Sequence, residues 1–151
     1  LPGVVPATPA CAAPEPARRV LYVEDEPLNI LLLQEVFKAR PAWELRVARD
    51  GEEGLATARE WVPDLALIDM NLPDCTGLEV LAHLRAEAPM RRLRCIALSA
   101  DAMSEQVAAA RAAGFDDYWT KPVDLNRLLE AVGEALQLGP RDDDPPGSER
   151  P

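Results

Sequence analysis

The sequence predicts a doubly wound α/β fold, an open parallel sheet with helices on both faces. Two observations carry that prediction. Five short strand-like runs are each followed by a stretch with helical spacing, all within residues 19–139. Four of those runs lead directly into polar side chains: Glu24-Asp25, Asp69, Ser99 and Lys121. Parallel strands would bring all of these to one edge of the sheet.

The elements follow in order. Val20–Val23 is a strand-like apolar run. Pro27 suits a helix's first turn, and Leu28, Leu31, Leu32, Glu35 and Val36 continue at helical spacing until Arg40-Pro41 ends it. Glu44–Ala48 alternates, with Leu45 and Val47 on one face. Asp50 is placed to cap a helix reaching about Trp61, with Leu55 and Ala58 inward.

Leu65–Ile68 is the third strand, leading to a turn with Pro73 and Gly77, then a helix over Leu78–Ala86 anchored by Leu81 and Leu84. Ile96–Leu98 is the fourth, before an alanine-rich helix from Ala102 to Ala113 that Gly114 stops. Tyr118–Thr120 is the fifth. Asp124 caps a last helix carrying Leu125, Leu128, Leu129, Val132 and Leu136, with Gly139 beyond its end. The strand order 2-1-3-4-5 would make strands 1, 3, 4 and 5 neighbours. That order is an assumption at this point.

Composition bounds the alternatives. The chain of 151 residues suits one domain with a sizeable core. Residues 1–18 read as a Pro/Ala-rich linker, and 140–151, with Asp142-Asp143-Asp144, as an acidic, Pro-rich disordered tail. No apolar stretch approaches the 18 residues of a membrane-spanning helix. The start lacks the pattern of a secretory signal and an initiator Met, so a piece of a longer protein is expected. A net charge of −10 argues against nucleic acid as a partner. Cys11, Cys75 and Cys95 make no CxxC pair, which suits a reducing cytosol. Cys95 reads as a core residue and Cys75 as a loop thiol. His83 reads as a surface residue with no partner for metal binding.

The converging groups have a common chemistry. Carboxylates about 4 Å apart repel by roughly 4 kcal/mol at an effective dielectric near 20. Glu24, Asp25 and Asp69 would therefore raise one another's pKa unless cations intervene. Lys121 supplies one positive charge, and a hard divalent cation such as Mg²⁺ could supply two. Each residue alone also has a plainer use. Glu24 and Asp25 could cap the following helix, Lys121 could be an idle surface lysine, Ser99 a turn residue and Tyr118 a core aromatic.

Together the motifs resemble the receiver domain of two-component response regulators. The residues are Val-Glu-Asp-Glu-Pro after strand 1, Asp-Met-Asn-Leu-Pro-Asp-Cys-Thr-Gly at strand 3, Ala-Leu-Ser-Ala at strand 4 and Asp-Asp-Tyr-Trp-Thr-Lys-Pro at strand 5. The resemblance implies a flavodoxin-like (βα)5 fold and a bacterial, Mg²⁺-dependent phosphoacceptor that catalyses its own phosphorylation and dephosphorylation. It implies that Asp69 accepts a phosphoryl group from a phosphohistidine. Glu24, Asp25, Asp69 and the Asn71 backbone carbonyl would serve the Mg²⁺ site, with Glu24 standing where Asp is more frequent. Lys121 and Ser99 would hold phosphoryl oxygens, and Ser99 and Tyr118 would switch the face formed by strand 4, helix 4 and strand 5. Asn71 and Asp101 would tune dephosphorylation, giving a phosphorylated state that lasts minutes or less.

The implied partners are a histidine kinase dimerisation and phosphotransfer domain or a histidine phosphotransfer protein. The expected context is the C-terminal receiver of a hybrid sensor histidine kinase, in the cytoplasm, with the parent protein free to be membrane-anchored. A single-domain regulator is the alternative. Three other functions compete. A haloacid dehalogenase-type phosphatase would want an acid where Asn71 stands. A flavin binder would be repelled by Glu24-Asp25-Glu26 after strand 1. An interaction module independent of phosphorylation would not need the full set of site residues.

Overall fold

Strand β1 (Arg18–Val23) pairs with both β2 (Trp43–Ala48) and β3 (Leu65–Asp69), and β3 continues to β4 (Arg94–Ser99) and β5 (Asp117–Thr120). All pairings are parallel and the order is β2-β1-β3-β4-β5, as the sequence reading assumed. The computed structural model describes residues 17–141. Cys11, nearly all of the expected linker and most of the expected tail lie outside the described residues.

Helices α1 (Pro27–Phe37), α2 (Gly51–Trp61), α3 (Gly77–Arg85), α4 (Ser104–Ala113) and α5 (Leu125–Leu138) make the crossovers. Strand alternation sorts the core into two layers. On one face Leu21, Val23, Ala66, Ile68, Cys95 and Ala97 pack under α2, α3 and α4. On the other, Val20, Tyr22, Leu65, Leu67, Ile96 and Leu98 pack under α1 and α5. Residues Leu65 to Asp69 are all buried because β3 is central and covered on both faces.

The face of α1 differs from the sequence reading. Ile30, Leu33 and Phe37 are buried, while Leu28, Leu31 and Leu32 are exposed. The run Leu28-Asn29-Ile30-Leu31-Leu32-Leu33 is apolar nearly all round, so spacing could not choose a face. Phe37 does so by packing its ring 5.9 Å from that of Trp43 on β2. Helix α4 begins at Ser104, two residues later than expected, and its one fully buried residue is Ala110. A one-turn 3-10 segment over Ala88–Met90 was not anticipated. Helix α3 starts at Gly77 because Thr76 and Glu79 form a reciprocal capping box.

Candidate functional site

Three polar residues are fully buried among the described residues: Glu24, Asp69 and Ser99. All three stand at the carboxyl ends of the neighbouring strands β1, β3 and β4. Burying ionisable groups is costly unless they are paired, so this clustering requires partners.

Backbone pairing extends past the strands and sets the positions. The Glu24 amide donates to the Ala48 carbonyl at 2.9 Å, and the Lys121 amide to the Ser99 carbonyl at 2.8 Å. Glu24 and Lys121 are therefore still gripped by the sheet, while Asp25 turns out toward solvent. Lys121 Nζ lies 2.8 Å from Glu24 Oε1 and 3.2 Å from Asp69 Oδ2. Asp69 Oδ1 accepts from the Asn71 amide at 3.1 Å. Carboxylate oxygens of Glu24, Asp25 and Asp69 lie within 4.8 Å of one another.

The electrostatics follow from one lysine serving two buried carboxylates. Burial raises the pKa of Glu24, but the hydrogen bond and charge of Lys121, together with the hydrogen bonds of the Glu26 amide and the Asp69 side chain, hold the group below its ordinary value. Burial also raises Asp69, and the adjacent Glu24 charge adds to it. The Asn71 amide and Lys121 offset this incompletely, so Asp69 stays above its ordinary value. Lys121 is held above its own ordinary value, its two carboxylate partners overcoming the effect of burial. An all-oxygen, under-neutralised donor set of this kind fits a hard divalent cation.

Ser99 Oγ accepts from the Asp101 amide at 3.0 Å. Tyr118 is half-buried against the α2–α4 side of the core and donates its hydroxyl to the Asp101 carbonyl. The Asp101 carboxylate accepts from the Met103 amide at 3.0 Å. Asn71 is exposed and forms an isolated bridge with Thr76. The structure thus gathers Glu24, Asp25, Asp69 and Lys121 tightly, and joins Ser99 at the end of β4 and Tyr118 on β5 to Asp101 of the β4–α4 loop as a second group. His83 is exposed, with Nδ1 2.8 Å from the Glu79 carbonyl oxygen.

Three residues of the site were missed by sequence reasoning. Tyr22 donates its hydroxyl to Glu24 Oε1 at 3.1 Å. In the sequence it reads only as part of an apolar run, although its two-residue spacing from Glu24 places both on one face. Asp74 accepts from the amides of Gly51 and Glu52 at 2.8 and 3.0 Å, tying the β3–α3 loop to the start of α2. In the sequence Gly77 reads only as a turn residue. A Cβ there would stand 2.9 Å from the Asp69 carbonyl oxygen.

A family model described as "Response regulator receiver domain" matches residues 20–133. The polar-differentiation response regulator DivK of Brucella ovis is 36% identical over 119 residues, which cover 79% of this chain and 96% of DivK. A CheY-like receiver domain protein from Methanospirillum hungatei superposes with a TM-score of 0.73 at 30% identity, covering 81% of this chain and 95% of that one. The receiver domain of the Pseudomonas aeruginosa sensor histidine kinase PA1611, which has a magnesium ion coordinated in its active-site cleft, superposes with a TM-score of 0.72 at 26% identity. The match covers 80% of this chain and 98% of the PA1611 receiver.

Proposed function

The chain belongs to the response regulator receiver domain family of two-component signalling, and we propose that Asp69 is its phosphoacceptor. One observation carries the assignment. Asp69 is a buried carboxylate at the end of the central strand, flanked by Glu24 and Asp25 and 3.2 Å from Lys121 Nζ. In the reaction, Asp69 attacks phosphorus in line, the bond from phosphorus to the histidine nitrogen of the donor breaks, and an aspartyl phosphate forms. Lys121 holds a phosphoryl oxygen and neutralises developing charge. Ser99 turns from the Asp101 amide to a second oxygen.

Glu24, Asp25, Asp69 and the Asn71 backbone carbonyl would form the Mg²⁺ site, in keeping with the magnesium-bound PA1611 receiver. When bound, the ion would add positive charge beside Asp69 and favour its ionised, nucleophilic form. When Ser99 leaves Asp101, Tyr118 is released with it, and the β4–α4–β5 face changes. Asn71 and Asp101 set the lifetime of the aspartyl phosphate. The donor is a histidine kinase phosphotransfer domain or a histidine phosphotransfer protein. Residues 19–139 form the receiver, and the proposed parent is a hybrid sensor kinase, since the PA1611 receiver belongs to a sensor histidine kinase; the length of the parent gene tests that.

Acetyl phosphate with Mg²⁺ should modify the wild-type chain at one site and leave Asp69→Ala unmodified. Equal modification of both proteins overturns the assignment.

A further inference from the structure

Tyr22 and Glu24 sit two residues apart at the end of β1, so their side chains leave the same face of the sheet. The Tyr22 ring is buried with Ile30, Leu33, Leu98 and Leu128 between the sheet and helices α1 and α5. A ring packed in this way is rigid, and its hydroxyl is a fixed donor. That hydroxyl lies 3.1 Å from Glu24 Oε1, the same oxygen that accepts from Lys121 Nζ at 2.8 Å. The other oxygen, Oε2, accepts from the Glu26 amide at 3.2 Å. Lys121 in turn reaches Asp69 Oδ2 at 3.2 Å.

We propose that Tyr22 is a positioning residue for the phosphoacceptor site: its hydroxyl fixes the Glu24 carboxylate and, through it, the Lys121 ammonium beside Asp69. The inference rests on the assignment of Asp69 and adds a residue to the machinery that serves it. A glutamate has one more rotatable bond than an aspartate, and a buried carboxylate that swings moves its lysine too. The Glu26 amide holds one oxygen, and without Tyr22 the other is held only by the Lys121 ammonium on its flexible stem, so acid and lysine can shift together. The Tyr22 hydroxyl holds the second oxygen, and with both held the lysine has a single place to sit. Glu24 and Tyr22 thus act as a pair, the longer acid reaching the hydroxyl and the hydroxyl removing the freedom that the extra length brings.

The test uses the full 151-residue chain as wild type, Tyr22→Phe, Glu24→Asp and the double variant. Phenylalanine keeps the ring packing and removes only the donor. The shorter aspartate withdraws the carboxylate from the hydroxyl, so Tyr22→Phe should then have nothing left to disturb. In the Glu24 background, Tyr22→Phe should slow phosphorylation by acetyl phosphate roughly tenfold, about the worth of one hydrogen bond to a charged group. It should also broaden or abolish the Lys121 side-chain ammonium signal in metal-free NMR spectra. In the Glu24→Asp background it should change neither.

An equal slowing in both backgrounds would mean that Tyr22 acts through packing and would overturn the inference, as would an unchanged rate and ammonium signal in the single variant. If the wild type takes up no phosphoryl group, the Asp69 assignment fails by itself. The ammonium signal still decides whether Tyr22 positions Lys121.

Discussion

The Tyr118 hydroxyl donates to the backbone carbonyl of Asp101, and Ser99 Oγ accepts from the amide of that same residue. Both groups expected to switch therefore hold one peptide segment, the β4–α4 loop. Helix α4 beyond it is held by one fully buried alanine, which makes it the weakly anchored element of its layer.

Removing the Tyr118 hydroxyl should loosen this loop at little cost to the fold. Tyr118→Phe loses one partly exposed hydrogen bond, so global stability should fall by about 1 kcal/mol or less. Amide hydrogen exchange at residues 100–106 should quicken without phosphorylation. Unchanged exchange there would mean that the Tyr118 contact does not restrain the loop.

Asp69 should carry a stability cost at neutral pH. Its pKa in the folded protein is raised, by burial first and by Glu24 next. The native state therefore binds that proton more tightly than the unfolded chain does. Below the unfolded-state value near 3.8 both states are protonated and the group contributes nothing. The penalty appears as pH rises above that value and is complete above the folded pKa. In Mg²⁺-free buffer, Asp69→Asn should melt above wild type at pH 7, and the gap should close toward pH 3. Added Mg²⁺ should raise the melting temperature of wild type more than that of the variant.

Gly77 should be intolerant of any side chain. A Cβ would stand 2.9 Å from both the Asp69 carbonyl oxygen and Met70 Sδ, and 3.0 Å from Met70 Cα. Two of these three are backbone atoms, so β3 itself must shift. Gly77→Ala should cost roughly 1–3 kcal/mol in urea denaturation, the range for overpacking. It should also slow phosphorylation, because the residue displaced is the one that carries the acceptor. A variant with normal stability and rate would show that the turn relaxes without moving Asp69.

Asp74 should support acid stability. The Gly51 amide is the main cause of its lowered pKa, with the Glu52 amide adding to it. A lowered folded pKa gives stability that is present above the unfolded value near 3.8 and lost as pH falls through the folded one. Asp74→Asn should therefore destabilise at pH 6 and approach wild type at pH 2. A pH-independent difference would point to lost packing of the β3–α3 loop in place of lost charge.

The sheet edge was legible because two signals coincided there: apolar runs that end abruptly, and charged or hydroxyl groups immediately after them. Glu24, Asp25, Asp69, Ser99 and Lys121 all carry both. The face of α1 was not legible, because Leu28, Leu31 and Leu32 offer as good a helical stripe as Ile30, Leu33 and Phe37, and only Trp43 on another strand decides between them. Tyr22 was hidden for a different reason. Its ring satisfies the apolar pattern of β1, and its hydroxyl matters only once Glu24 is known to be buried. Asp74 works across 23 residues to reach Gly51, a pairing that no local pattern announces.

In the proposed reaction the phosphoryl group is carried on Asp69. After reaction with acetyl phosphate and Mg²⁺, borohydride reduces an aspartyl phosphate to homoserine, which peptide mass spectrometry places in the sequence. Homoserine at position 69 and nowhere else is the predicted result. Homoserine at Asp25 or another aspartate, or hydroxynorvaline at Glu24 or another glutamate, with Asp69 intact, would contradict the assignment.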